Sequence, residues 1–435
     1  MVKIKKLILE RGFVAIFIAI LILVIILAIG LSVSNLVLNL QKVSGNVTRS
    51  NQAYFTAEAG IEDALLRLAK GKQWQSSYSF SVEGSTTAVG ISDVIGGSRT
   101  ITSQGNFSNR IRKTQVVYQI STDEISFHYG VQVGDLGLQM AGNAVVHGNI
   151  FSNGIIAGAS NTKIYGDAIS AGANGKIQSI EIKSTEGGGS AWARYLQDCK
   201  IDGDAYYTSI SSCSVKGSLY QTEEWVAPQQ MPITDEQITS WKNDAAAGGT
   251  ISGYSLGGNN EASLGPVKVD GNMTLDSNAI LTITGTIWVT GNLSLNSNVA
   301  LQLASGYGSF SGVIVVDGHI SVASNVTLCG AEGYNKTSKK CNSSMGSYLM
   351  LLSTNNSTDP GNPAISATSN TKTAILYASD GFISLSSNAK LREATGYGIS
   401  MSSNAEVTYV TGLADAKFSS GPGGKWKVTS WKEVE

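Results

Sequence analysis

Charge, histidine and proline are all scarce in this chain of 435 residues. Charged side chains make up 14% of it, against roughly 25% in ordinary soluble domains. Lys and Arg number 31 and Asp and Glu 32, a net charge of -1, so no bulk positive field draws nucleic acid, and none is expected as a partner. Three histidines, His128, His147 and His319, leave little material for acid–base or metal chemistry near neutral pH. Six prolines stand against 49 glycines, so the turns must come from Gly, Asn, Asp and Ser. This balance fits an exported, mainly-β protein better than a cytosolic enzyme. The length suggests two to three folding units at roughly 150 residues each.

What is abundant comes first in the chain. The leader MVKIKKLILERG carries Lys3, Lys5, Lys6 and Arg11 against Glu10 alone. From Phe13 to Leu31 there is no charge, and the next is Lys42. Nineteen apolar residues rise about 28 Å as a helix, close to the ~30 Å hydrocarbon core of a bilayer. The basic leader is expected to stay cytoplasmic and the remainder to be exported, giving a single-pass protein of the inner or cytoplasmic membrane. A cleaved signal peptide, with Ser32-Val33-Ser34 as its site, and a plain signal anchor are the two alternatives. No proline occurs before Pro228, so nothing forces the helix to stop at the membrane surface. In NQAYFTAEAGIEDALLRLAK the residues Tyr54, Ala57, Ile61, Ala64, Leu65 and Leu68 recur at spacings of three and four, with Asp63 and Arg67 at i, i+4. The pattern predicts one helix over 13–70.

The basic leader ending at Gly12, the Gly12–Phe13 junction, the apolar run and the QAYFTAEAGIEDALLRL segment together resemble a type IV pilin, and the last resembles the signature of PilX-type pilus-assembly proteins. The resemblance implies a prepilin peptidase that cuts after Gly12 and methylates Phe13. It also implies other pilin-like subunits as partners, docked through the N-terminal helix in the bilayer. One position departs from the pattern: pilins usually carry Glu at the fifth mature position, and here it is Phe17. A buried carboxylate there needs a partner charge, so Phe17 suits either a subunit with nothing ahead of it or a lineage that has relaxed the rule.

Residues 71–125 hold short alternating runs, among them TQVVYQIS with Val116, Tyr118 and Ile120 on one side, which predicts a small antiparallel sheet against the amphipathic half of the helix. Beyond it the chain repeats itself: GLQMAGNA, GNMTLDSNA, GNLSLNSNV, GHISVASNV, GFISLSSNA and GISMSSNA. Each is a glycine, an alternation of apolar and small polar residues, then Asn143, Asn278, Asn298, Asn325, Asn388 or Asn404 followed by Ala or Val. Repeats of this length with period-2 alternation read as coils of a parallel β-helix, the apolar alternates (Met273 with Leu275, Leu293 with Leu295, Ile320 with Val322, Ile383 with Leu385) pointing inward. Asn tolerates a left-handed corner and its amide can bond the Asn of the next coil, resembling the asparagine ladders of parallel β-helix proteins. Turns of a β-sandwich are the alternative. A helix is expected near 233–247, capped by Thr234 or Asp235 with Ile238 and Trp241 on its apolar side, covering or capping the coils. The tail alternates Trp426 and Val428 as a last strand. Repeat, helix and tail together resemble exported PilX-like proteins with solenoid heads.

Cys199 and Cys213, and Cys329 and Cys341, form two local pairs, read in an exported protein as two disulfides; their spacing is too wide for a metal knuckle. The candidate acids for glycoside hydrolysis, Asp202 with Asp204, Glu223 with Glu224, and Asp270, all fall in turns. A row of Asp270, Asp317 and Asp380 could hold Ca2+ but more simply shapes turns. His147 and His319 lack metal-ligand partners, and no hydrolase, zinc-protease or phosphate-loop motif is present. Tyr307 and Tyr397 could stack on sugars or lie in the core.

The expected fold is α+β: leader 1–12, helix 13–70, a small β region 71–125, and a mainly-β parallel β-helix head over 126–435. The expected function is a membrane-anchored, pilin-like minor subunit displaying that head to other subunits, surfaces or glycans, with no catalytic residue, metal or cofactor assigned. An anchored carbohydrate-active β-helix enzyme and a non-filament scaffold are the other readings.

Overall fold

A 67-residue α-helix, α1 (Lys3–Ala69), opens the structure without a break. The computed structural model describes residues 3–69, 75–92, 98–120, 123–124, 127–159, 161–184, 188–343, 346–372, 375–413, 417–418 and 426–434. The chain forms two units, one of 1–92, 100–117 and 430–435, the other of 93–99 and 118–429.

In the first unit α1 changes character along its length. From Val14 to Val47 its large apolar residues are exposed all round. The Ser32 hydroxyl donates to the Ala28 carbonyl (2.8 Å), which satisfies it inside that apolar stretch. Further on, Ala53, Ala57, Ile61 and Ala64 are fully buried against an antiparallel sheet of β1 (Ser77–Val82), β2 (Ser85–Ile91), β3 (Ser98–Phe107), β4 (Arg110–Ile120) and the strand Trp426–Val434. The buried stripe is narrower than the spacing predicts: Tyr54, Leu65 and Leu68 sit at its half-exposed flanks. Small residues at its centre let the helix approach closely. A Cβ at Gly105 in β3 would overlap the Ala53 carbonyl oxygen, and one at Gly60 would overlap the Ser103 hydroxyl. Val89, Ile101 and Val116 fill the space between, while the Ile120 side chain lies outside the described residues. The tail strand belongs to this sheet and not to the end of the head, since its edge pairs with the four-stranded meander.

In the second unit nearly all strands are parallel and pair in register, coil beside coil. One column of partners runs Tyr254–Met273–Leu293–Ile320–Ile365–Ile383–Ile399–Leu138–Ile156–Ile177–Leu196–Ile210. The order in that column is not the order in the chain. Residues 131–147 begin in the middle and wind outward to Leu219–Gln221 at one end. The segment 222–249 then runs back along the outside. Residues 250–264 start the opposite end, and the chain winds inward until Glu393–Met401 pairs with Val131–Met140. The stack is therefore two arms wound in the same direction, joined where the second arm's last coil meets the first arm's first.

The returning segment fastens this joint. Val226 O accepts from Gly172 N (2.9 Å), Asn153 exchanges two bonds with Gln229, Gln132 donates to Gln230 O (3.0 Å), and Tyr377 Oη exchanges bonds with Ile233. It ends in α2 (Asp235–Ala247), capped by Thr234, whose hydroxyl accepts from Gln237 N. Ile238 and Trp241 are buried against Val313, Val315, Met350, Leu352 and Tyr377, so α2 covers the flank of the stack. Tyr307 is likewise core, 1% exposed, and has no face left for a sugar.

Replacing Gly105 by Ala is expected to cost the first unit about 1–3 kcal/mol by overpacking, read as earlier thermal unfolding and faster proteolysis between α1 and β1, with the head's unfolding unchanged.

Candidate functional site

Gly12 and Phe13 lie on helical backbone inside α1; their side chains fall outside the described set. Just beyond them, Phe17 is 67% exposed. A helix with this much uncovered apolar surface needs lipid or neighbouring helices around it, and α1 is long and apolar enough to cross a membrane.

On the head, the asparagines of the repeats share one corner. Asn143, Asn278, Asn298, Asn325, Asn388 and Asn404 all have φ between 58° and 67°, the left-handed region that Asn enters more easily than other side-chain-bearing residues. Asn161, Asn259 and Asn370 extend the same column. Amide to amide, Asn161 donates to Asn143 (3.1 Å), Asn143 to Asn404 (3.3 Å) and Asn404 to Asn388 (3.2 Å). Asn370 donates to Asn325 (3.2 Å) and Asn325 to Asn298 (3.3 Å). The ladder thus crosses the joint between the arms. Beyond Asn161 the same left-handed corner is held by Ser179, Asp198 and Ser212, which the S-N-A pattern could not find.

A second column also escapes that pattern. Asn149, Asp167, Ser190 and Asp204 each accept, through a side-chain oxygen, the backbone N–H of the residue one coil on: Asp167, Ser190, Asp204 and Ser218. Its signal in the sequence is a glycine before each member, Gly148, Gly166, Gly189, Gly203 and Gly217. Gly217 stands so close to the Gly203 backbone that no Cβ fits.

Both cysteine pairs are bridged, Cys199–Cys213 between neighbouring coils and Cys329–Cys341 between the strand Thr327–Cys329 and the hairpin that follows it. Closing loops of these lengths stabilises by about 3 kcal/mol each in the chain-entropy account.

The acids are distributed differently from a ligand set. Asp270 and Asp317 do not stack on each other: Thr290 lies between them and donates to Asp270 (3.2 Å), and Thr354 donates to Asp317 (3.0 Å). Asp317 also accepts from Trp288 Nε1 (2.9 Å) and pairs with Lys242 (2.6 Å), tying α2 to the coils. Asp380 accepts from the neighbouring Ser379 hydroxyl. Asp202 pairs with Lys216 (2.8 Å), Asp204 belongs to the second column, and Glu223 and Glu224 are exposed. His319 Nδ1 lies 2.9 Å from the Pro363 carbonyl, and His147 stacks on Tyr165. Among the described residues no three His, Cys, Asp or Glu side chains gather as a metal-ligand group. Glu393 is fully buried and its Oε1 accepts from the Thr395 hydroxyl. Burial pushes its carboxyl well above the ordinary range, against a smaller downward pull from Thr395.

Two outcomes follow. Asn404→Ala removes two ladder bonds and puts Ala in a left-handed corner, an expected loss of about 2–4 kcal/mol in urea unfolding, partly recovered by Asn404→Gly. The folded Glu393 carboxyl holds its proton more tightly than the unfolded one, so its contribution is complete below the unfolded carboxylate pKa and is lost as pH rises through the higher folded value. The stability of Glu393→Gln should therefore fall less than the parent's between acid and neutral pH.

With this geometry in hand, residues 11–62 match the PilX N-terminal family. No curated protein matches the chain. Among solved structures, the competence-associated pilin ComZ from Thermus thermophilus aligns over 89% of this chain and 98% of that one, at 11% identity and a TM-score of 0.26, values too low to carry an argument. The N-terminal region of this protein is similar to the PilX N-terminal family over residues 11–62.

Proposed function

We propose that the protein is a minor subunit of a type IV pilus-like filament, anchored in the membrane by the apolar half of α1 and displaying a β-solenoid head. The observation that carries this is α1 itself: one helix whose large apolar residues are uncovered over Val14–Val47, then seated by Ala53, Ala57, Gly60 and Ile61 on its own sheet. The uncovered half serves as a handle for lipid before assembly and for neighbouring helices after it. The match over residues 11–62 supports the same reading. The basic leader supports an orientation with the head outside the cytoplasm. A prepilin peptidase then cuts between Gly12 and Phe13, and Phe17, where pilins carry an acid, suits a subunit with no terminal ammonium ahead of it. Parallel, in-register coils with asparagine amide bonds that cross the joint support the solenoid reading of the head, which offers a stiff polar surface to partners.

N-terminal mass spectrometry of membrane and sheared-surface fractions tests this. The expected result is a mature chain beginning at N-methylated Phe13. A chain that keeps its leader, or that begins at Asn35, would overturn it.

A further inference from the structure

One face of the head carries a cleft. On that face the coil between Thr327–Cys329 and Lys390–Leu391 contributes, among the described residues, Lys372, through single bridges to Thr327 and to Lys390. The opening is a cleft of about 370 Å³, within the size range of small-ligand sites. Its floor includes Leu328, Leu349 and Leu391, each at most 2% exposed. One wall is the hairpin Tyr334–Asn335 with Lys340–Cys341, held to the coil beneath by the Cys329–Cys341 disulfide.

The charges around it are unbalanced. Four cations line the cleft, Lys340, Lys372, Lys390 and Arg392, against two acids, Glu332 and Glu406. Glu406 is taken by Lys390 (2.7 Å). Among the described residues Lys340, Lys372 and Arg392 have no ion-pair partner within 4.0 Å. Glu332 Oε1 accepts from Gly330 N (3.1 Å), but its Oε2 is buried with no hydrogen-bond donor among the described residues. An acceptor left so carries an uncompensated desolvation cost, which a ligand hydroxyl would relieve.

We propose that this cleft binds an acidic saccharide, a sugar unit bearing a carboxylate. Lys340, Lys372 and Arg392 receive the carboxylate, and Glu332 and Asn342 accept and donate to ring hydroxyls. The apolar floor takes the sugar's C–H face. A nucleic-acid backbone fits less well, because it presents only acceptors where the cleft presents Glu332 and Glu406, and a duplex does not enter a cleft of this volume. The proposal relies on the outward-facing reading of the head for access to such a ligand, but its chemistry is independent of whether the chain assembles.

Calorimetric titration of the full chain in detergent micelles tests it, with trigalacturonate as the probe. Its methyl ester and a ten-nucleotide deoxythymidine strand serve as comparisons. The expected result is saturable binding of trigalacturonate, at least tenfold weaker binding of the ester, and at least tenfold loss in Lys340→Ala/Arg392→Ala. Lys340 is exposed and Arg392 half-buried, and intact disulfides with an unchanged unfolding curve show that the variant is folded. No binding of trigalacturonate, equal binding of the ester, tighter binding of the oligonucleotide, or full binding by the folded variant would each overturn the proposal. Because the titration needs neither processing nor assembly, its failure is separate from a failure of the N-terminal mass spectrum.

Discussion

A parallel strand leaves a row of backbone N–H and C=O groups along each edge, and the head is organised by the need to pair them. Each coil supplies the edge that the next requires, so once one coil is set the neighbours follow in register. The consequential edge is where Glu393–Met401 meets Val131–Met140. Without that pairing the two arms would each carry an additional open edge, and the columns of Ile383, Ile399, Leu138 and Ile156 would be cut in half. The asparagine ladder, the inward apolar column and the returning segment all cross this joint, which is why it behaves as one more coil and not as a contact between domains.

The joint also explains where the chain comes and goes. Phe127 N donates to Leu413 O and the Tyr409 hydroxyl donates to Phe127 O, while Asp123–Glu124 pairs antiparallel with Lys417–Phe418. The inbound and outbound segments therefore lie side by side at the middle of the stack. A head wound from end to end in chain order would put those segments at opposite ends. Winding from the centre outward, returning, and winding back to the centre lets a long stack be inserted between two strands that stay neighbours. The flank of the second arm needs a cover for Val313, Val315, Met350 and Leu352, and α2 supplies it.

What the sequence made legible is what has a local cause. The apolar run and the three-and-four spacing of Ala57, Ile61 and Ala64 write α1 directly, and Gly with Asn writes the corners because few other residues tolerate φ near 60°. Inward positions such as Met273 and Leu293 follow from alternation alone. The order of the arms has no such trace, because every coil carries the same alternation and so the same edge. The tail strand was misplaced for the same reason: Trp426–Val434 alternates as well on the antiparallel sheet as it would on a coil. The second polar column was legible in principle, as glycine followed by Asn, Asp or Ser. The cleft was not, because Lys340, Lys372 and Arg392 are brought together from three separate coils.

Engineered cysteines test the coil order most directly. Neighbouring parallel strands lie about 4.7–4.9 Å apart, within the Cα range of about 4.4–6.8 Å that a disulfide spans. Gln139 and Ser400 are register partners across the joint, so Gln139→Cys/Ser400→Cys should form a bridge found by non-reducing peptide mapping. Ser211→Cys/Ser255→Cys, which winding in chain order would bring together, should stay unbridged. A bridge in the second pair and none in the first would contradict the two-armed stack.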